Sequence, residues 1–220
     1  MEHLIRLSGI EKRYGKRVIL RELDLSVKQG ELLVVNGASG QGKTTLLNII
    51  GLLDSFQAGQ YLFASKDVKQ SFSTKLDIRS EHIGFVFQDY CLLEKLSVMD
   101  NILMPYLYSD LPLTKEVIHT ADEYLERFGL LSLKKTKTKY LSGGEKQRVS
   151  IIRAMIKKPA LVLADEPTGN LDPANARLIA DELRAMTKTG TSVIVVTHNK
   201  EVFDNADTKY MLRDGRLYNE

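Results

Sequence analysis

Eight consecutive residues, Gly37-Ala38-Ser39-Gly40-Gln41-Gly42-Lys43-Thr44, set three glycines, a lysine and a hydroxyl at the spacing G-x-x-x-x-G-K-T. Glycines let a backbone turn tightly, so that its N–H groups converge on an anion. At this spacing Lys43 reaches the terminal phosphates of a nucleotide and the Thr44 hydroxyl suits Mg2+. A second constellation lies at Asp165-Glu166, directly after the apolar run Ala160-Leu161-Val162-Leu163-Ala164. An acidic residue that closes a buried strand suits Mg2+, held directly or through water. Glu166 alone would read as a surface glutamate at a strand end. Beside Asp165 and a phosphate loop it reads as a general base for water attacking a γ-phosphate. His198 closes the run Ser192–Thr197. A lone histidine is usually structural, but the carboxyl rim of a parallel sheet is where such sheets bind ligands.

A third constellation is Leu141-Ser142-Gly143-Gly144-Glu145. Ser142 with Glu145 three residues on fits a capping box. The two adjacent glycines would also expose backbone N–H groups at a helix N-terminus, a second anion site. Two anion sites with one set of catalytic groups imply that the second serves another chain.

These residues need a frame. Leu32-Leu33-Val34-Val35 reads as a buried parallel strand and residues 45–50 as a helix pointing its positive dipole end at the phosphates. Residues 4–10 and 18–28 alternate in the manner of antiparallel strands, with Tyr14 reading first as an ordinary strand-end aromatic. Residues 60–64 and 83–87 read as strands, the second ending at Gln88, with 65–82 polar and irregular between them. From about 94 to 155 the period turns helical: Val117, Ile118, Ala121, Leu125 and Phe128 fall on one face. The lysine-rich run 134–139 reads as a solvated loop, with lipid headgroup contact as a lesser alternative. Asn170-Leu171-Asp172-Pro173 is a turn before a helix over 174–188. Residues 208–218 read as a hairpin turning at Asp214-Gly215.

Composition narrows the class. At 220 residues one domain, with or without a subdomain, is expected. An apolar share of 43% supports a substantial core. A net charge of +3 is too small to imply nucleic acid or an anionic membrane as partner. The single Cys91 excludes an intramolecular disulfide framework and reads as a reduced cytoplasmic thiol. No apolar run approaches the ~18 residues of a membrane span, and the N-terminus lacks a signal-peptide core. The expectation is a soluble chain that reaches a membrane only through a partner.

GASGQGKT, the Gln88 segment, LSGGEKQR, LVLADEP, NLD and the histidine after a strand occur in the order of ABC-type ATPases, and the chain resembles that family along essentially its whole length. GLLD (51–54), IGFVFQ (83–88), NILMP (101–105) and DEPTGNLD (165–172) resemble its MacB/LolD/BceA-type branch, which powers lipoprotein release, antimicrobial-peptide resistance and mechanical work across the membrane. The resemblance implies an α/β fold. It has a P-loop NTPase (RecA-like) core with a mostly parallel sheet, an N-terminal antiparallel β subdomain and an inserted helical subdomain. These form a single domain over 1–220, with core and β subdomain at about 1–93 and 156–220 and the helical part at about 94–155.

It further implies ATP and Mg2+ as cofactors. Tyr14 would stack on adenine. Gly37, Ala38, Ser39, Gly40, Gln41, Gly42, Lys43, Thr44 and Thr45 would cradle phosphates, with Thr44 and Asp165 on Mg2+. Gln88 would sense Mg2+, water and the membrane partner. Glu166 would activate water, with His198 holding the γ-phosphate. Ser142, Gly143 and Gly144 would serve ATP on the opposite subunit of an ATP-driven head-to-tail dimer, and Asp172 would link its two sites. The partner would be a multi-span permease at the cytoplasmic face of the membrane, its short helix docking near Tyr90, Leu92 and Leu93, of which one or two read as core packing instead. Glu94 and Thr138 stand where many relatives have proline, in the region that decides partner and substrate class. An ABC ATPase of nucleic acid or ribosomes would bring coiled coils, zinc cysteines or a second cassette, and the sequence has none of these. A monomeric P-loop kinase would leave LSGGE and His198 without a job.

Overall fold

Every residue of Leu32–Asn36, Leu161–Asp165 and Ser192–Val196 is buried. Apolar runs of this kind satisfy their backbones only inside a sheet covered on both faces. The computed structural model describes residues 3–69, 72–109, 111–169 and 171–220. In chain order it contains β1 (His3–Tyr14), β2 (Arg17–Lys28), β3 (Leu32–Asn36), α1 (Lys43–Ile50), β4 (Ala58–Phe63), β5 (Lys66–Asp67) and α2 (Phe72–Asp77). Then come β6 (Ile83–Val86), α3 (Val98–Leu107), α4 (Lys115–Arg127), α5 (Gly143–Met155), β7 (Leu161–Asp165), α6 (Pro173–Thr187), β8 (Ser192–Val196), β9 (Thr208–Arg213) and β10 (Arg216–Asn219).

The main sheet has the order β10-β9-β3-β8-β7-β6, parallel except for the β9–β10 hairpin. A second, antiparallel sheet has the order β2-β1-β4-β5. Alternation along the central strands assigns each face its own core. Leu33, Val35, Leu161, Leu163, Ile194 and Val196 pack with α1 and the antiparallel sheet. Leu32, Val34, Val162, Ala164, Val193 and Val195 pack with α3, α5 and α6. This second cluster continues through Ile102, Ala121, Leu125 and Phe128, so the helical segment shares one core with the strands.

Strand and helix types agree with the sequence reading, with differences at the ends. β1 runs to Tyr14, four residues beyond the expected end, because its pairing with β2 continues to Tyr14 after its pairing with β4 stops at Glu11. Residues 65–82 are more ordered than their polarity suggests: they hold β5, α2 and a π-helical turn over Ile78–His82. The buried Val68 and Ile78 anchor that segment to the core. The terminal hairpin turns at Asp214-Gly215, as expected.

β6 meets α5 without room for a side chain. A Cβ on Gly84 would stand 2.2 Å from the Ala154 carbonyl oxygen. Gly84→Ala must push strand and helix apart, an overpacking cost of about 1–3 kcal/mol. The expected outcome is a melting temperature lower by roughly 3–10 °C, read by differential scanning calorimetry.

Candidate functional site

The phosphate loop leaves β3 and enters α1 through Gly42. Gly42 is the helix N-cap, with φ +100, and a Cβ there would lie 2.8 Å from Ile19 Cγ2. Only glycine fits such a left-handed, crowded position. Lys43 is buried, and its Nζ donates to the carbonyls of Gly37 (2.6 Å) and Ala38 (3.1 Å), closing the loop on itself. Gln41 Oε1 accepts from the Asp214 N–H (3.0 Å), which ties the loop to the terminal hairpin. α1 is held in place by Leu46, Leu47, Ile49 and Ile50, all buried. Its last carbonyl, on Ile50, accepts from the Tyr61 hydroxyl at 2.7 Å. Burial pushes the Tyr61 phenol far up, so it stays a donor.

β7 delivers Asp165 to the same edge. Burial raises the Asp165 carboxyl above its ordinary value, and the neighbouring Glu166 adds to this. A hydrogen bond from the Thr44 hydroxyl and the charge of Lys43 oppose it. Glu166 adopts φ +47, unusual for a residue with a Cβ. Its N–H donates to the Val196 carbonyl at 2.9 Å. Its Oε2 accepts from Thr197 Oγ1 (2.9 Å) and from the His198 N–H (3.3 Å). Its Oε1 lies 2.9 Å from His198 Nδ1. The Glu166 side chain is 11% exposed against 67% for His198, so the carboxylate is fixed and the imidazole reaches outward.

These groups face one cleft of about 770 Å3. Its walls bring together Tyr14, Ser39, Gly40, Gly42, Lys43, Thr44, Thr45, Gln88, Asp165, Glu166 and His198. Gly37, Ala38 and Gln41 of the loop are not among its lining residues. Ser142, Gly143, Gly144 and Asp172 are not among its lining residues. Ser142 caps α5 as a full capping box with Glu145 and is exposed. Asp172 caps α6, accepting from the N–H groups of Ala174 (3.1 Å) and Asn175 (3.0 Å). These bonds, that of Asn175 foremost, hold its carboxyl below its ordinary value. Arg148 Nη1 donates to Asn175 Oδ1 at 2.9 Å and so joins α5 to α6. Asn170 lies outside the described residues.

The sequence reading missed two cleft residues and the buried Thr197 behind Glu166. Thr197 orients Glu166, but a threonine at a strand end carries no signature. Arg17 and Ile19 line the cleft from β2, beyond the reach of any local motif.

The segment after Gln88 is irregular. Tyr90 and Cys91 have φ of +59 and +47, both in the left-handed region. Leu92 is partly buried against the helical core, and the Tyr90 hydroxyl stands about where it would meet a Cβ on Gly143 (3.2 Å). Leu93 is half exposed. The groove beside the loop, about 380 Å3, is lined instead by Leu53, Phe85, Phe87, Cys91, Pro105 and Tyr108, with Arg79, Glu81, Arg153 and Lys157 among its polar groups.

The cleft fits a magnesium nucleotide by the chemistry of its donors. Thr44, Asp165 and Gln88 offer only oxygen ligands of the hard type that Mg2+ takes. Among the described residues no three His, Cys, Asp or Glu side chains gather into a cage. A cation here would need phosphate oxygens to complete its shell, the usual arrangement for Mg2+.

The ABC transporter family model matches residues 20–169. The chain is 40% identical over 219 residues to the ABC transporter ATP-binding protein YknY of Bacillus subtilis, covering 97% of this chain and 95% of that protein. It is 38% identical over 221 residues to the lipoprotein-releasing system ATP-binding protein LolD of Aquifex aeolicus, covering 100% and 98%. Against the macrolide export ATP-binding/permease protein MacB of Pasteurella multocida it is 38% identical over 219 residues, spanning 97% of this chain and 34% of that protein. Among solved structures, a dimeric post-hydrolysis ATP-binding cassette bound to ADP and Pi superposes with a TM-score of 0.88 at 32% identity, covering 97% of this chain and 96% of that one.

Gly42→Ala forces a β-carbon into a left-handed backbone at the mouth of the cradle, a strain of about 1–2 kcal/mol that the loop relieves by moving. The expected result is ADP affinity lower by roughly 5- to 30-fold in calorimetric titration, the same strain expressed as a binding ratio.

Proposed function

The chain belongs to the ABC transporter family as an ATP-binding member, and from that premise we propose that it hydrolyses ATP with Mg2+ to drive a separate multi-span permease. The observation that carries this reading is the Glu166 carboxylate, anchored by Thr197 and His198 in the same cleft as the phosphate loop. An anchored carboxylate at a cleft wall has the geometry of a general base: it accepts a proton from water aligned on the γ-phosphate. His198, more exposed, holds the phosphate side of that water. Lys43 leaves the Gly37 and Ala38 carbonyls to meet the β- and γ-phosphates, and the N–H groups from Gly37 to Thr45 complete the cradle. Tyr14 is the platform for the base. Thr44, Asp165 and Gln88 hold Mg2+, whose charge, when bound, offsets the negative charge of phosphoryl transfer.

Ser142, Gly143 and Gly144 open α5 away from their own cleft, at a positive helix end. We assign them to the ATP of a second, head-to-tail subunit, with Asp172 between the two sites. The dimeric assembly of the similar solved cassette supports this. The chain is read as a single domain over 1–220 with a helical subdomain at about 94–155. No helix among the described residues is long and apolar enough to cross a membrane. Work therefore leaves through a surface, and the groove of Phe85, Phe87, Pro105 and Tyr108 beside the Gln88 loop suits a short permease helix. The chain would sit peripherally on the cytoplasmic face, without direct nucleic acid contact.

Glu166→Gln keeps the shape and removes the base. ATP binding is expected to persist while hydrolysis falls by at least ~10²-fold. The same protein should sediment as a dimer in ATP and Mg2+, since undischarged nucleotide keeps the interface filled. Turnover at the wild-type rate would remove Glu166 from its role. For docking, Tyr108 is 79% exposed at the groove. Tyr108→Asp should leave ADP affinity intact and weaken co-purification with the permease; retention of the permease at the wild-type level would place the docking surface elsewhere.

A further inference from the structure

Tyr14 ends β1 with its ring 51% exposed at the cleft. A ring that free should sample several rotamers, yet three contacts restrain it. Its hydroxyl donates to Asp54 Oδ2. Its hydroxyl oxygen also takes a hydrogen bond from the Thr45 side chain. The Lys12 ammonium sits 4.6 Å from its ring centroid. Lys12 is itself buried, donating to Asp54 Oδ1 (2.5 Å) and to the Ser55 carbonyl (2.7 Å).

Asp54 is the hub of this network. Burial pushes its carboxyl up, but bonds from Lys12, Tyr14 and the Ser55 N–H outweigh burial and leave it below its ordinary value. The bond to Asp54 in turn raises the Tyr14 phenol, which stays protonated as a donor. The backbone repeats the link. Gln57 Oε1 accepts from the Arg13 N–H (2.9 Å), and the Gln57 N–H donates to the Glu11 carbonyl (2.9 Å).

The network also reaches α1 at both ends. Thr45 lies in its first turn. The N–H groups of Leu53 and Asp54 both donate to the Asn48 carbonyl, at 2.8 and 3.2 Å. The ring is thus referenced to the helix whose N-terminus forms the phosphate cradle.

We propose that Asp54 is a positioning residue for the nucleotide base: with Lys12 and Thr45 it locks the Tyr14 ring at a fixed offset from the phosphate loop, so that base and phosphates are gripped together. This rests on the reading of Tyr14 as the base platform. Asp54 never touches the nucleotide. It acts by removing rotamer freedom from the ring before binding, which is preorganisation. Lys12 covers one side of the ring and leaves the other for the base.

Calorimetric titration of ADP, and separately of inorganic pyrophosphate, into wild type, Tyr14→Phe, Asp54→Ala and the double variant tests this. Tyr14→Phe keeps the ring and loses the hydroxyl at an exposed site, so it folds. Each single change should weaken ADP by about 2- to 12-fold, the range for ordering one side chain. The double variant should lose no more than either single, because both cut the same link. Pyrophosphate affinity should stay at the wild-type value in all of them. Tyr14→Ala sets the scale for losing the platform itself, roughly 5- to 150-fold. If Tyr14→Ala binds ADP as wild type does, the platform reading falls and the inference with it. If Tyr14→Ala weakens ADP while Tyr14→Phe matches wild type, the inference alone is overturned. Equal loss of pyrophosphate overturns it too, since the network would then be shaping the loop and not the base. Should Asp54→Ala fail to fold, Tyr14→Phe decides by itself.

Discussion

Parallel, in-register pairing of β3, β8 and β7 is the constraint on which the cleft depends. Val35 pairs with Val196, and Val196 with Asp165. Three strands far apart in sequence therefore run out at one edge, and the residues just beyond their ends are forced into one neighbourhood. The pairing continues a step past the strand ends: Thr197 N–H donates to the Val35 carbonyl (3.1 Å) and Glu166 N–H to the Val196 carbonyl (2.9 Å). A slip of one residue in any strand would turn its apolar side chains from one core to the other. Each of those side chains is worth about 1.5–3 kcal/mol when fully buried. The register is thus set by two cores at once, and the placement of Glu166 against Thr197 and His198 inherits that rigidity.

The electrostatics of the edge stem from the same geometry. Asp165 and Glu166 are adjacent carboxylates at the end of a buried strand, and burial with mutual repulsion disfavours charge on Asp165. Lys43 and the Thr44 hydroxyl offset part of this. A cation among Thr44, Asp165 and Gln88 would offset the rest, and this is the physical content of the donor set. Glu166 sits at a left-handed φ that costs a residue with a Cβ roughly 1–2 kcal/mol. That conformation turns its side chain away from the strand direction and onto Thr197, where two hydrogen bonds and His198 hold it.

Legibility in the sequence tracks how local each determinant is. The phosphate loop is eight adjacent residues, the buried strands are unbroken apolar runs, and the capping box of Ser142 spans four positions. Each was legible because its physics closes within a few residues. Tyr14 was legible only through family resemblance; taken alone it reads as a strand-end aromatic. Its anchor Asp54 lies forty positions away and no spacing rule connects them. The order in 65–82 was missed because Val68 and Ile78 are too sparse to set a period, though both are buried by partners elsewhere. The packing of Leu92 against the helical core was only one of two readings of its segment, because consecutive left-handed residues at Tyr90 and Cys91 set its facing and neither residue type announces such a backbone.

That same irregular segment explains how the cleft and the groove are joined. Arg153, near the end of α5, donates to the carbonyls of Tyr90 (2.7 Å) and Cys91 (2.5 Å). A guanidinium holds two successive carbonyls that no strand partner takes, so the loop beyond Gln88 is fastened to α5 rather than to the sheet. The far end of α5 carries Ser142, Gly143 and Gly144, with the Tyr90 hydroxyl close to Gly143. Gln88 itself is on the cleft wall, while Cys91 and Arg153 line the groove. A push on the groove therefore has a short mechanical path: into Arg153, through α5 to the glycines at its N-terminus, and through the clamped carbonyls to Gln88. The packing of α5 on β6 at Gly84, with no slack for a side chain, gives that path a stiff bearing on the sheet. On the proposed function, the surface that meets the permease and the two surfaces that meet nucleotide are three parts of one helix and its attached loop, joined through the Arg153 clamp.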